Sequence, residues 1–311
     1  MSRASSTSSS PGKRVIIIGA GIYGLCAAKT YLQINPNVDL TIVDADSSVG
    51  GVWSASRVYA GLVADLPSPV YEFSDLRMSE EFGIPMWADI PGKLFHQYLE
   101  KYAAKFNLLE RCQLNTYVLN AEREGMGWRL RTRTKGMEEE QSISCDVLMV
   151  ATGNYSKPSM PDMDMSAFKG MIMHTKDLHK RTPELISEKV KTVVVVGGNK
   201  SALEAAEVCA MAGKTVHWTI RKGGIGPGML MNAKDKNGKA SVVPILCRFT
   251  GLAVHTMWRE RGMWDRFFLS GNNAMGSKLF NWYWNKVTKS RVGDKYEKSE
   301  NGKLLKPDVF K

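Results

Sequence analysis

The chain has 311 residues, 43% of them hydrophobic, with a formal net charge of +11. That length supports two compact domains with a sizeable core, and the hydrophobic share is ordinary for a globular protein. The positive charge suits anionic ligands, but the basic residues are scattered and the aromatics form no RNA- or DNA-binding motif, so nucleic acid is not expected as a partner. The five cysteines (Cys26, Cys112, Cys145, Cys209 and Cys247) are odd in number and contain no C-x-x-C pair. This pattern argues against a disulfide framework, a zinc site and a redox-active dithiol, and fits free thiols in a reducing compartment. No bound metal is expected.

Residues 1–12 are Ser-rich without an apolar core, and read as a disordered leader rather than a signal peptide. Lys13 to Asp46 reads as strand, glycine turn, helix and strand. The helix runs from Ile22 to Gln33, where Asn35-Pro36-Asn37 ends it, and the second strand is Val38–Asp44. Residues 54–92 are rich in Pro, Ser and aromatics and have no clear period. Lys93 to Phe106 has helical spacing at Leu94, Tyr98, Tyr102 and Phe106. Strands are expected at Cys112–Ala121, Trp128–Thr134 and Ser142–Met149, the middle one half-exposed because apolar and polar residues alternate. Val147–Val150 runs into Ala151-Thr152-Gly153.

Residues 154–190 read as a connection between domains. A second β-α-β unit spans Thr192 to Arg221, with a helix over Ser201–Met211 and a strand over Thr215–Ile220. A Gly- and Lys-rich loop, an aromatic-rich stretch over 242–287 and a charged tail follow. No apolar run reaches the roughly 18–20 residues of a membrane helix. The expected location is cytoplasmic, with no integral membrane segment and peripheral membrane contact left open.

Two glycine turns carry the chemistry. In the first, Gly19 permits the tight turn, Gly21 lets a pyrophosphate approach the backbone, and Gly24 lets helix pack on strand. The helix N-terminus then offers free N–H groups to phosphate. Asp44, at the end of the next strand, is the acid that accepts ribose hydroxyls. In the second turn Gly197 and Gly198 are followed by Asn199, which tolerates left-handed backbone better than most residues. Ser201 can donate to a phosphate, and Arg221 stands where the first unit has Asp44. Acid suits a free 2′-hydroxyl and Arg suits a 2′-phosphate, so FAD is expected at the first turn and NADPH at the second.

With these turns, Gly50-Gly51-Val52-Trp53, Ala151-Thr152-Gly153 and the stretch Phe168–Leu178 complete a recognisable order. The chain resembles the class B flavoprotein monooxygenases, which include the flavin-containing and Baeyer–Villiger enzymes, and most of all their fungal secondary-metabolism members. Phe168–Leu178 is similar to the family fingerprint F-x-G-x-x-x-H-x-x-x-F/W, with Leu178 in the aromatic place. The resemblance implies two Rossmann-like α/β domains with mostly parallel sheets, the second inserted into the first. It divides the chain into an FAD-binding domain (13–165), a linker with the fingerprint (166–190), an NADPH-binding unit (191–240) and an aromatic-rich helical insertion with charged tail (241–311).

The same resemblance implies a reaction. NADPH reduces FAD, oxygen adds to give a flavin C4a-(hydro)peroxide, and this oxygenates a small hydrophobic metabolite. Gly51 and Trp53 would line the flavin, Val118 would touch adenine through its backbone, and His174 would steady the linker. Asp65 falls where many relatives carry Asn near the flavin, and a carboxylate cannot donate as an amide does. Asp65 and His174 are the candidate catalytic residues. Relatives return to the flavin domain after the nicotinamide domain, whereas this sequence stops at Lys311 without that return segment. A fragment, a shortened gene product and a degenerate homologue all fit. The expected outcome is lowered stability or a partner that completes the sheet. The alternative function is a non-catalytic homologue that binds nucleotide or a partner. Substrate and oligomeric state are not legible.

Overall fold

A computed structural model describes residues 12–68, 70–154, 157–221 and 263. They fall into two compact units, 12–62 with 91–180 and 63–90 with the residues from 181 onward. In chain order the elements are β1 (Arg14–Ile18), α1 (Ile22–Ile34), β2 (Asp39–Val43), α2 (Met78–Phe82), α3 (Gly92–Lys105), β3 (Cys112–Gln113), β4 (Thr116–Glu124), β5 (Gly127–Thr134), β6 (Glu140–Cys145), β7 (Val147–Val150), α4 (Leu178–Leu185), β8 (Thr192–Val196), α5 (Lys200–Met211) and β9 (Thr215–Thr219). The expected leader lies outside the described residues apart from Gly12, as does the aromatic insertion with its tail apart from position 263.

The first unit is built on a parallel sheet in the order β3-β2-β1-β7. A parallel strand covered on both faces reads as an unbroken apolar run, and β1 does so through the fully buried Val15 and Ile17 and the nearly buried Ile16. α1 covers the sheet with Leu25 and Ala28. α3 buries Phe95, Tyr98, Leu99 and Tyr102, an i, i+3, i+4, i+7 stripe. β4, β5 and β6 form an antiparallel meander. Its middle strand turns Leu130 and Thr132 inward and Arg129, Arg131 and Arg133 outward, as the alternation predicts. Ile16, Val43, Leu130 and Cys145 share one cluster that joins the two sheets.

Two expected strands are each broken in two. Cys112–Ala121 divides because Asn115 takes a left-handed backbone (φ 55), so Cys112 and Gln113 pair with β2 while Thr116 onward enters the meander. Ser142–Met149 divides at Asp146, whose carboxylate accepts the Arg14 N–H at 2.7 Å and whose own N–H donates to Arg14 O at 2.9 Å. The linker expected at 166–190 contains a 3-10 turn over Thr175–Asp177 and the helix α4, and the aperiodic stretch before α3 contains α2. These helices span only one or two turns, too few for a period to show.

In the second unit β8 pairs in parallel with β9, and α5 buries Ala202, Ala205, Ala206 and Cys209. Segment 63–90 is closed on itself by the Ala64 N–H donating to Ile90 O (2.9 Å) and Ser68 Oγ donating to Pro85 O (2.9 Å). It buries Leu76, Met78, Ile84 and Ile90.

Candidate functional site

The first glycine turn joins the end of β1 to the start of α1, at the carboxyl edge of the parallel strands where open α/β sheets bind ligands. Its glycines do different work. Gly19 has φ 107, and a Cβ there would overlap the Ala151 carbonyl oxygen. A Cβ on Gly24 would overlap the Gly19 carbonyl oxygen and sit 3.0 Å from its carbon. These two positions therefore lock the turn against the sheet and against Ala151-Thr152-Gly153, whose Ala151 N–H donates to Ile18 O at 2.8 Å. Gly21 differs: its backbone is extended (φ −78, ψ −174), and the nearest atom to an added Cβ is the Gly51 Cα at 3.6 Å. Gly21 and Gly51 thus face one another as two bare backbones above a helix whose first-turn N–H groups have no intrahelical acceptor.

The Gly50–Trp53 loop is attached to this turn. The Gly50 N–H donates to Ala20 O at 2.9 Å, and Gly50 and Gly51 both have positive φ (121 and 61). Trp53 is 8% exposed and packs edge-to-face on Phe95 with ring centroids 5.0 Å apart, so its indole anchors the loop to α3. Asp44 sits beside the turn. One carboxylate oxygen accepts the Ala20 N–H at 2.6 Å, and the other accepts the Asp46 N–H at 2.8 Å. Burial raises its pKa above the ordinary value, and these two backbone bonds oppose that rise. Each oxygen keeps a lone pair for another donor.

Segment 113–116, which carries no motif, frames Asp44. The Asp44 N–H donates to Gln113 O (3.0 Å), the Thr116 N–H to Asp44 O (2.8 Å) and the Asn115 N–H to Asp46 O (2.8 Å). The Asn115 left-handed turn makes this possible; Asn favours such turns, but its type does not say what the turn supports. Cys112, next to it, has its thiol pushed up to about 11 by burial and by the Asp44 charge, so it is no nucleophile at neutral pH. Val118 packs its side chain on the joint cluster of the two sheets, one residue before a register shift in β4.

In the fingerprint stretch, His174 Nδ1 accepts the Lys176 N–H at 3.1 Å and caps the 3-10 turn; Leu178, in the aromatic place, is 1% exposed. The Lys176 ammonium is held below its ordinary pKa, first by burial and then by Arg57, against the pull of Asp46. Arg57 itself pairs with Asp46 at 2.9 Å.

The second turn is built differently. Gly197 has φ 131, and its added Cβ would meet only the Ala202 Cβ at 3.5 Å. Ala202 therefore stands where the first turn tolerates only Gly24. Asn199, expected to exploit left-handed tolerance, is instead extended (φ −89, ψ 176), a conformation open to any residue. Trp218 on β9, missed by sequence reasoning, donates its indole N–H to Gly197 O at 2.6 Å and holds the turn. Ser201 is exposed in the first turn of α5, and Arg221 is exposed two positions beyond β9. Asp65 lies 3.3 Å from Lys200 Nζ, at the start of α5.

A groove of about 680 Å³ lined by Arg14, Asp39, Glu124, Trp128 and Asp146 lies at the opposite, amino end of β1 and shares no residue with either turn. Among the described residues no group of three His, Cys, Asp or Glu side chains is placed to hold a metal ion, and no helix is long and apolar enough to cross a membrane.

The chain is similar to several known proteins. The sequence pattern of flavin-binding monooxygenase-like proteins matches residues 12–260. The FAD-dependent monooxygenase resA of Aspergillus sclerotiorum is 38% identical, over 94% of this chain and 52% of its own length. Among solved structures, Tmm from Pelagibacter sp. strain HTCC7211 aligns with a TM-score of 0.58 at 26% identity, over 67% of this chain and 51% of that one. An oxidised steroid monooxygenase bound to NADP aligns with a TM-score of 0.51 at 25% identity, over 68% of this chain and 38% of that one. The chain spans about half the length of the curated relatives it matches. It belongs to the flavin-binding monooxygenase-like family.

Proposed function

We propose that this chain binds FAD at the Gly19–Gly24 turn and NADPH at the Gly197–Ala202 turn, and serves an NADPH-dependent monooxygenase acting on a small hydrophobic metabolite in secondary metabolism. The observation that carries this reading is the pair of facing bare backbones at Gly21 and Gly51, beside a carboxylate fixed by two backbone N–H groups. With no side chain on either glycine, a pyrophosphate can approach both backbones there. FAD, when bound, would accept electrons from the nicotinamide and activate molecular oxygen.

The protein's share is positioning. Gly19 and Gly24 fix the turn, Gly21 and Gly51 admit the pyrophosphate, and Asp44 accepts ribose hydroxyls. The Val118 backbone stands for the adenine contact. Trp53 holds the flavin-side loop on α3. Ser201 donates to the nicotinamide cofactor's phosphates, and Arg221 reads its 2′-phosphate. His174 keeps the fingerprint turn in shape. Asp65 accepts but cannot donate while ionised, so it acts on Lys200 rather than by giving a hydrogen bond to substrate.

The test is purification of the full chain. A retained flavin spectrum, with NADPH oxidised in air and peroxide or product formed, is the expected result. A colourless, well-folded protein that binds no FAD on reconstitution would refute it. Retained flavin without NADPH oxidation would favour the non-catalytic nucleotide binder.

A further inference from the structure

Lys200 opens α5, where the positive end of the helix dipole disfavours a cation. Three oxygen atoms surround its ammonium: Val63 O at 2.5 Å, the Asp65 carboxylate at 3.3 Å, and the carboxylate of Glu204 one helical turn on. An ammonium has three N–H donors, so these acceptors use its full capacity. They are unequal. Glu204 is buried, with its side chain 8% exposed, while Asp65 is the most distant and its side chain is 62% exposed. Asp65 is therefore the acceptor most easily replaced by an incoming anion.

The second glycine turn immediately precedes Lys200. Lys200 is the first residue of α5, and its flexible four-carbon stem lets the ammonium turn toward a dinucleotide phosphate on the first N–H groups of that helix. We propose that Asp65 and the dinucleotide phosphate compete for Lys200, so that cofactor binding at the second turn displaces the Asp65 carboxylate from the ammonium. This rests on the second turn being a dinucleotide site, as proposed above. It makes Lys200 a cofactor-binding residue and Asp65 its internal competitor. It also gives the acidic residue at position 65 a purpose that hydrogen-bond donation to a ligand cannot supply.

The test is calorimetric titration of NADP⁺ into the full chain at low ionic strength. It compares wild type, Asp65→Asn, the pair Lys200→Gln with Glu204→Gln, and all three changes together. Glu204→Gln accompanies Lys200→Gln because a lone Lys200→Gln would take the neighbouring cation from a buried carboxylate. Asp65→Asn should tighten NADP⁺ by about two- to fivefold, the worth of one exposed ion pair. The gain should shrink in high salt. Lys200→Gln with Glu204→Gln should weaken NADP⁺, and adding Asp65→Asn should then change nothing. Unchanged or weaker binding by Asp65→Asn overturns the competition. Equal tightening with and without Lys200 also overturns it, by showing that Asp65 acts through general charge. If wild type binds no NADP⁺, the cofactor assignment of the second turn fails first. If wild type binds and Asp65→Asn does not differ, only the competition fails.

Discussion

Gly21 and Gly24 are both glycines of one motif, yet replacing each with alanine should break different properties. A Cβ on Gly24 overlaps the carbonyl oxygen of Gly19 and lies 3.0 Å from its carbon. Both are backbone atoms, so no rotamer change relieves the clash, and α1 must lift from β1. Overpacking of this kind costs about 1–3 kcal/mol, and a rigid backbone neighbour places it at about 3 kcal/mol. For a unit of this size that is a fall in Tm of about 6–12 °C. A Cβ on Gly21 meets nothing closer than the Gly51 Cα at 3.6 Å, and φ −78 is open to any residue. Gly21→Ala should therefore unfold within about 1 kcal/mol of wild type. Its methyl group nevertheless stands between the two bare backbones where the pyrophosphate must lie, so the variant should lose flavin. The assay is thermal unfolding of flavin-stripped protein by circular dichroism, with flavin absorbance after gel filtration measured in parallel. Gly24→Ala with the wild-type Tm would refute the packing argument, and Gly21→Ala that keeps its flavin would refute the cradle.

Three further outcomes are expected. Arg221→Ala should weaken NADPH far more than NADH; equal losses would show that Arg221 does not read the 2′-phosphate. Trp218→Phe removes the indole bond to Gly197 O and should weaken NADP⁺ binding by roughly two- to tenfold, the worth of one hydrogen bond of about 0.5–1.5 kcal/mol, while flavin content stays constant. The Cys112 thiol is raised from 9.0 to about 11 in the fold, so the folded state holds its proton longer than the unfolded chain does. Its contribution to stability is complete below pH 9 and is lost as pH rises through about 11. Denaturant midpoints should fall across that window, and Cys112→Ala should fall less steeply; identical slopes would remove Cys112 as the cause.

The sequence reports most clearly on what the parallel sheet requires. β1 is an apolar, β-branched run because a strand at the centre of such a sheet is covered on both faces. β8 shows the same run although only Val195 is buried beside β9, and each strand is followed by glycine where the chain turns into a helix at once. α3 was legible because three or more turns give a period, and the first helix because a glycine turn opens it and Asn35-Pro36-Asn37 ends it. Position 146 was harder, because the chain leaves the meander and re-enters the parallel sheet without a glycine or proline. Only the bonds between Asp146 and Arg14, distant in sequence, reveal that break. At the candidate site, Gly19, Gly21, Gly24 and Asp44 could be named from spacing. The supports could not: Gln113 and Asn115 act through backbone atoms, and Trp218 through one indole N–H, so their residue types do not announce the role.

The two turns also differ in how completely the fold determines them. In the first, three backbone segments interlock: Gly19 against Ala151, Gly24 against Gly19, and Gly50 bonded to Ala20. No side chain can adapt there, so the cradle has one shape, and a ligand that fits is held by many N–H groups at once. In the second, Ala202 replaces the packing glycine, and beside the first N–H groups of α5 the groups offered to a ligand are exposed side chains, Ser201 and Arg221, with Lys200 shared among three acceptors. Side-chain contacts that must first leave other partners give weaker and more readily reversed binding than a preformed backbone cradle. That contrast supports the proposed division of labour. The rigid turn suits a flavin that stays through many cycles, and the adaptable turn suits a nicotinamide dinucleotide that must arrive, react and leave.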